Sequence, residues 1–318
     1  MASIFLPQVL AYRRAMLKAR SSGNAIADRR FAYAMEYKAG GDPASAAELV
    51  TQALHEAPDW AAGWLALGDL NEMLGRRDEA IDTYRQALRL DPADEAGAGA
   101  RLARLGEMPP DGAMTPAHIA ALFDEYAPRF ERSLVADLSY RGPALLRMAL
   151  DGIGRSKPFE RALDLGCGTG LVGEAFRTLC QDIVGVDLSG AMLAKARAKQ
   201  VYRQLEQAEI ADFLFRQAAD SADLILSADV FIYLGDLDTI FRQAARVLVR
   251  GGLFVFTVQS HSGPAAFILN HDLRYAHSRE GLAGWAAAAG LHLRHLDHAS
   301  PRTDRGVPVP GLVAVLER

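Results

Sequence analysis

The sequence predicts two kinds of architecture in one chain: an N-terminal all-α domain over residues 1–107, then a doubly wound α/β domain over 113–318 with a seven-stranded, mostly parallel sheet. Three observations carry this. Residues 27–94 repeat with a period of 34. A glycine-rich strand–turn–helix at 161–179 is followed by a second short strand ending in an acid. The last two strand-like runs, Leu291–Leu296 and Gly311–Leu316, flank a polar, proline-containing turn, as an antiparallel hairpin does.

Composition sets the limits. With 318 residues, half of them hydrophobic, the chain is comfortable as two globular domains. Its 35 basic and 39 acidic residues leave a net charge of −4, which does not suit a polyanion, so nucleic acid is not expected as a partner. No apolar run approaches the ~18–20 residues that cross a bilayer, so no membrane association is expected. The two cysteines, Cys167 and Cys180, suggest neither a disulfide framework nor a metal site and fit a reducing cytoplasm.

Residues 1–27 carry Arg13, Arg14, Lys18 and Arg20 ahead of the first acid, Asp28, and read as a first helix packed on the neighbouring repeats, with a basic transit peptide as the alternative. In the repeats, Ala46 and Ala80, Val50 and Tyr84, Ala53 and Ala87, and Pro58 and Pro92 stand 34 apart, and Trp64-x-x-Leu67-Gly68 opens the second copy. The pattern resembles the tetratricopeptide repeat, in which small residues let two antiparallel helices approach. The first copy departs from it with Arg30 where the pattern has Trp. Two repeats leave apolar faces uncovered, so 94–105 is expected to close one end. The array could bind a peptide, mediate self-association, or only extend the second domain. Residues 108–112 read as a linker.

Thr115 and Pro116 look like an N-cap and first helical residue, leading to Phe123-Asp-Glu-Tyr-Ala-Pro-Arg-Phe130. A further helix is expected from Gly142-Pro143. The acid-tipped strand at 162–165 then runs into glycines at 166, 168 and 170, which let the backbone turn and lie close to a ligand. Asp187 ends the next strand 23 residues after Asp164, and a carboxylate there suits a ribose diol.

The spacing Asp164-x-Gly166-x-Gly168-x-Gly170 is not the G-x-G-x-x-G of a dinucleotide site, where pyrophosphate sits on a helix N-terminus. It resembles motif I of the class I S-adenosylmethionine-dependent methyltransferases, whose fold is Rossmann-like. The resemblance covers about 115–318 and is closest to predicted methyltransferases that contain tetratricopeptide repeats, given similar stretches Asp229-Val-x-x-Tyr233-Leu-Gly and Arg274-Tyr-Ala-His-Ser278. It implies S-adenosylmethionine as cofactor, held by Asp164, Gly166, Cys167, Gly168, Gly170 and Asp187, with Leu188 and Met192 covering the adenine and Glu209-Ile210 bonding its edge. It also implies lid helices over 113–158, with Tyr126 and Phe130 as lid candidates and Tyr140-Arg141 reaching the cofactor carboxylate.

Asp229 and Tyr233, beyond the fourth strand at 222–229, should face the cleft, Asp229 either orienting the acceptor or capping the next helix. Phe130, Tyr233, Arg274 and Tyr275 are candidates for the substrate pocket. His277 is the candidate general base, since imidazole titrates near working pH, with His261 and His271 behind it; a carboxylate acceptor would need no base. The expected function is methyl transfer to an oxygen or nitrogen of a small molecule. Alternatives are a protein or peptide methyltransferase that recruits through the repeats, and a non-catalytic repeat protein.

Overall fold

The computed structural model describes residues 21–132, 134, 139–154, 158–304 and 306–318. The basic segment before Ala27 lies largely outside them. The chain divides into two compact units, Met1–Tyr126 and Ala127–Arg318.

In the first unit two helix pairs realise the 34-residue period: α1 (Ala25–Ala39), α2 (Pro43–Glu56), α3 (Ala61–Met73) and α4 (Arg77–Leu90). Asn24 and Asp42 cap α1 and α2 through their side chains. The repeated alanines Ala46, Ala80, Ala53 and Ala87 are buried where helices meet, and Trp60 packs edge-on against Phe31 at 4.8 Å. Arg30, the departure from the pattern, is polar for a local reason: its Nη1 bonds Glu56 Oε1 at 2.9 Å and the Gln52 carbonyl at 2.8 Å. A short helix α5 (Ala98–Arg104) closes the second pair, with Leu102 and Ala98 joining Leu65, Ile81 and Tyr84 in one apolar cluster. The helix α6 (Pro116–Tyr126) completes this unit, so the compact division falls beyond the 107/113 boundary expected from sequence.

The second unit is the doubly wound sheet. Its strands are β1 (Phe159–Leu165), β2 (Cys180–Asp187), β3 (Gln204–Gln207), β4 (Ala222–Ser227), β5 (Leu248–Gln259), and, after a small hairpin of β6 (Phe267–Leu269) and β7 (Tyr275–His277), β8 (His292–Ala299). Two short strands, β9 (Thr303–Asp304) and β10 (Val307–Pro308), lead to β11 (Gly311–Glu317). The order is β3-β2-β1-β4-β5-β11-β8. Pairings from β3 to β5 are parallel, and β11 is antiparallel to both β5 and β8.

Helices cover both faces. On one side α7 (Gly142–Gly152) and α8 (Leu171–Phe176) pack Leu146, Leu150 and Phe176 against Ala162, Leu224 and Val255. On the other, α10 (Ile210–Arg216), α11 (Asp238–Val247) and α12 (Arg279–Ala288) cover Leu163, Leu165, Ile225, Phe254 and Phe256. Central strands with two buried faces explain why β4 and β5 read as nearly unbroken apolar runs. The helix α9 (Gly190–Ala198) links β2 to β3.

The third strand stops at Gln207, because the chain turns away after the Ala208 N–H bonds the Asp187 carbonyl. The strand β5 follows α11 directly, its register shifts opposite Ala222–Leu224, and its Gly251 has φ 74°.

Candidate active site

Parallel strands β1, β2 and β4 all end on the same edge of the sheet, and the order reverses between β1 and β4. Ligands of open α/β sheets bind at such a switch point. The loop after β1 occupies it. Gly166 has φ 68°, and a Cβ there would lie 2.5 Å from Val230, so only glycine fits. Gly168, φ 54°, is different: a Cβ would meet nothing within 4 Å except the Phe130 ring at 3.8 Å. Backbone is thus presented to open space with an aromatic ring beside it, room for a ligand laid along the main chain.

Asp187, at the tip of β2, is oriented by two backbone donors. The Gly168 N–H gives to Oδ2 at 2.9 Å and the Ser189 N–H to Oδ1 at 2.8 Å. An ionised carboxylate has roughly four lone-pair sites and accepts several hydrogen bonds at once, which suits it to the two hydroxyls of a ribose. Ser189 also caps α9, accepting from the Met192 N–H at 3.0 Å, which fixes Leu188 half-buried and Met192 buried just after the acid. Glu209 is exposed at the N-cap of α10 without a side-chain capping bond, and Ile210, the first helical residue, is half-buried. These positions fit the adenosyl cofactor: an oriented diol acceptor, an open backbone cradle and apolar cover.

Asp164 is 1% exposed. Burial, with the nearby Asp187 charge, pushes its carboxyl up to about 7, against a hydrogen bond from Tyr202 that lowers it. Cys167 is buried and its thiol is pushed well up by that burial, so it fills the loop's underside as a neutral group.

Phe130 begins the helical turn Phe130–Arg132, and its neighbour Glu131 bonds Lys199 Nζ at 2.8 Å, which also contacts Glu174 Oε2 at 2.5 Å. This ties the segment carrying Phe130 to the helices on either side of β2. Lys199→Ala should weaken S-adenosylmethionine binding by about two- to fivefold, the worth of a half-exposed pair, chiefly through a faster off-rate in stopped-flow displacement. An unchanged off-rate would exclude the latch. Tyr126 ends α6 in the first unit, half-buried.

Beyond β4, Asp229 has φ 60°, unusual for a residue with a side chain. Its N–H gives to Thr257 Oγ1 at 2.9 Å, and its carboxylate is paired with Arg302, which is 3% exposed. Arg302 also reaches Gln259 Oε1 at 3.4 Å. Asp229 therefore does not cap the following helix. The Tyr233 hydroxyl bonds the Arg274 side chain, and burial pushes that phenol up. Tyr140 gives its hydroxyl to the Ala228 carbonyl at 3.3 Å, its phenol raised well up by burial and by Asp229 and Asp164. Asp229, Tyr233, Arg274, Arg302 and Tyr140 thus gather around the end of β4.

Arg141 is exposed, with its backbone N–H on the Pro301 carbonyl at 2.7 Å, and Tyr140 beside it turns inward. Two sequence assignments need correcting. Tyr275 is 0% exposed and packs edge-on to Phe267 at 5.9 Å, a core ring and not a pocket wall. His277 is also 0% exposed; its Nε2 donates to the Gly235 carbonyl at 3.0 Å, and burial pulls the imidazolium down to about 4. Its Nδ1 is buried without a hydrogen-bond partner, and the ring packs beside Trp285 and Phe267. That setting fits a neutral structural imidazole. Tyr202 and Arg302, in contrast, carry no motif and come to the site only through the fold. Among the described residues no group of His, Cys, Asp or Glu is arranged to hold a metal, and no helix is long and apolar enough to cross a membrane.

A methyltransferase-domain family matches residues 163–256, and a tetratricopeptide-repeat family matches 61–94. Ubiquinone biosynthesis O-methyltransferase of Caulobacter sp. (strain K31) is 31% identical over 171 residues, covering 52% of this chain and 62% of that protein. Malonyl-[acyl-carrier protein] O-methyltransferase of Legionella pneumophila is 37% identical over 111 residues, covering 34% and 38%. The chain thus spans less than two thirds of each relative. An S-adenosylmethionine-dependent methyltransferase from Mesorhizobium loti superposes with a TM-score of 0.44 at 23% identity, over 56% of this chain and 97% of that one. The chain carries a methyltransferase domain, matched over residues 163–256, preceded by tetratricopeptide-like helical repeats.

Proposed function

We propose that the protein is a cytoplasmic enzyme that transfers the methyl group of S-adenosylmethionine to an oxygen or nitrogen atom of a small molecule. The observation that carries this is the pairing of the oriented Asp187 carboxylate with the open backbone at Gly168. The bound cofactor supplies an activated methyl on a sulfonium, ready for in-line displacement. Asp187 would clasp its ribose, the 166–170 loop would lie along its amino-acid part, and Phe130 would help to exclude water. Asp229, Tyr233 and Arg274, at the end of β4, would orient the acceptor, with Arg302 holding Asp229. Orientation of this kind supplies much of what an already activated methyl needs. His277 is left out as a base because its ring is fully buried and, with its imidazolium pulled down to about 4, it is a weak proton acceptor.

Both of these relatives, from Caulobacter and Legionella, are O-methyltransferases by name, which supports an oxygen acceptor. The test uses the full chain with methyl-tritiated S-adenosylmethionine and a cell extract divided by ultrafiltration. Label entering the low-mass fraction is expected. Label entering only the protein fraction would overturn the small-molecule reading.

That second outcome is the reading in which the repeats recruit a protein substrate. It draws on Ile26, Tyr33 and Tyr37, which are 45–54% exposed along α1. A non-catalytic repeat protein fits less well, since Asp164, the three glycines and Asp187 are all present and arranged.

A further inference from the structure

Tyr202 lies between α9 and β3, just past Gln200, which turns the chain with φ 56°. Its ring enters a slot that small residues leave open: a Cβ on Gly173 would stand 2.5 Å from the hydroxyl, and one on Gly185 would be 3.0 Å from the ring. Inside that slot the hydroxyl has two partners. It accepts the Gly173 N–H at 3.2 Å and donates to Asp164 Oδ2 at 2.6 Å. With the acceptor side engaged by a backbone donor, its proton is directed at the carboxylate.

We propose that Tyr202 is a positioning residue for the cofactor loop, acting through the buried Asp164 carboxylate that it holds, and that it thereby sets the strength and the pH range of S-adenosylmethionine binding. This role rests on the proposed binding of that cofactor at the 166–170 loop. Asp164 is the loop's leading acid and sits beneath it, 1% exposed, so its charge can be kept only with help from a donor. The charged and titratable groups around it are Asp187, Tyr202, Cys167, Cys180 and Tyr140. None of these is a cation, so the hydroxyl of Tyr202 is the group that favours ionisation while burial and Asp187 oppose it. S-adenosylmethionine brings a positive sulfonium to this edge of the sheet, and an ionised Asp164 favours it over a protonated one.

A carboxyl raised to about 7 is charged above that pH and takes up a proton as pH falls through it. Cofactor affinity should therefore weaken between pH 8 and pH 6. Tyr202→Phe keeps the ring in its slot and removes the donor, so the same weakening should begin at higher pH.

The experiment is calorimetric titration of the full-length chain with S-adenosylmethionine from pH 6 to pH 9. Tyr202→Phe should bind about threefold more weakly near pH 7.5, for a shift of about one pH unit, and converge on the wild type by pH 9. Asp164→Asn, whose amide does not titrate, should give a flat profile over pH 6–8, and S-adenosylhomocysteine, without the sulfonium charge, a shallower one in the wild type. Parallel profiles for Tyr202→Phe and wild type, or an unflattened profile for Asp164→Asn, would overturn the proposal. Failure of the wild type to bind at any pH would instead remove the cofactor reading beneath it.

Discussion

Asp187→Ala is expected to weaken S-adenosylmethionine binding by about a hundredfold. Two losses combine. The carboxylate would give a ribose two charge-assisted hydrogen bonds, and bonds to charged groups are worth about 1.5–3 kcal/mol each. It also accepts the Gly168 and Ser189 N–H groups, so its removal releases the open turn of the loop and the first turn of α9 together. A net loss of about 3 kcal/mol corresponds to roughly two decades in affinity. Asp187→Asn keeps one acceptor oxygen and the side-chain shape, and should fall between, at about tenfold. Calorimetry on the full chain reads both. A change under threefold for the alanine variant would remove Asp187 from the site, whatever the fate of the fold.

How much of this was legible beforehand depends on whether the signal was local. The 34-residue repeat, the glycine loop and the acid at the end of β2 are written in consecutive residues, because strand, turn and helix there are specified by neighbours. The terminal hairpin was readable for the same reason, and β11 does lie between β5 and β8. Errors arose where chemistry was inferred from residue type without knowing which way a side chain turns. In β7 the residues Tyr275, Ala276 and His277 are all buried, so the strand has no open face on which a base could stand. Arg302 and Tyr202 had no signal at all. Arg302 meets Asp229 across 73 positions and Tyr202 meets Asp164 across 38, contacts that exist only once the strand order is fixed.

The helical unit offers a stability test of comparable size. Arg101, on the closing helix α5, is 6% exposed; its Nε bonds Asp69 Oδ1 at 2.6 Å, Nη2 bonds Oδ2 at 3.3 Å, and Nη1 bonds the Gly97 carbonyl at 2.9 Å. Asp69, on α3, is equally buried and also lies 2.9 Å from the Tyr84 hydroxyl. Burial alone disfavours the guanidinium charge, and Asp69 more than offsets it. Arg101→Ala should destabilise this unit by about 3–5 kcal/mol, because the buried Asp69 carboxylate loses the guanidinium that grips both its oxygens. Asp69→Asn combined with Arg101→Met should cost much less than the single change, since neither charge remains. Urea unfolding followed by the fluorescence of Trp60 and Trp64 reports this unit, while Trp285 is in the other. Because two compact units need not unfold together, the loss should appear in the helical transition. A single variant less than 1 kcal/mol below wild type would mean that apolar packing of Leu102 and Ala98, and not the ion pair, closes the repeats.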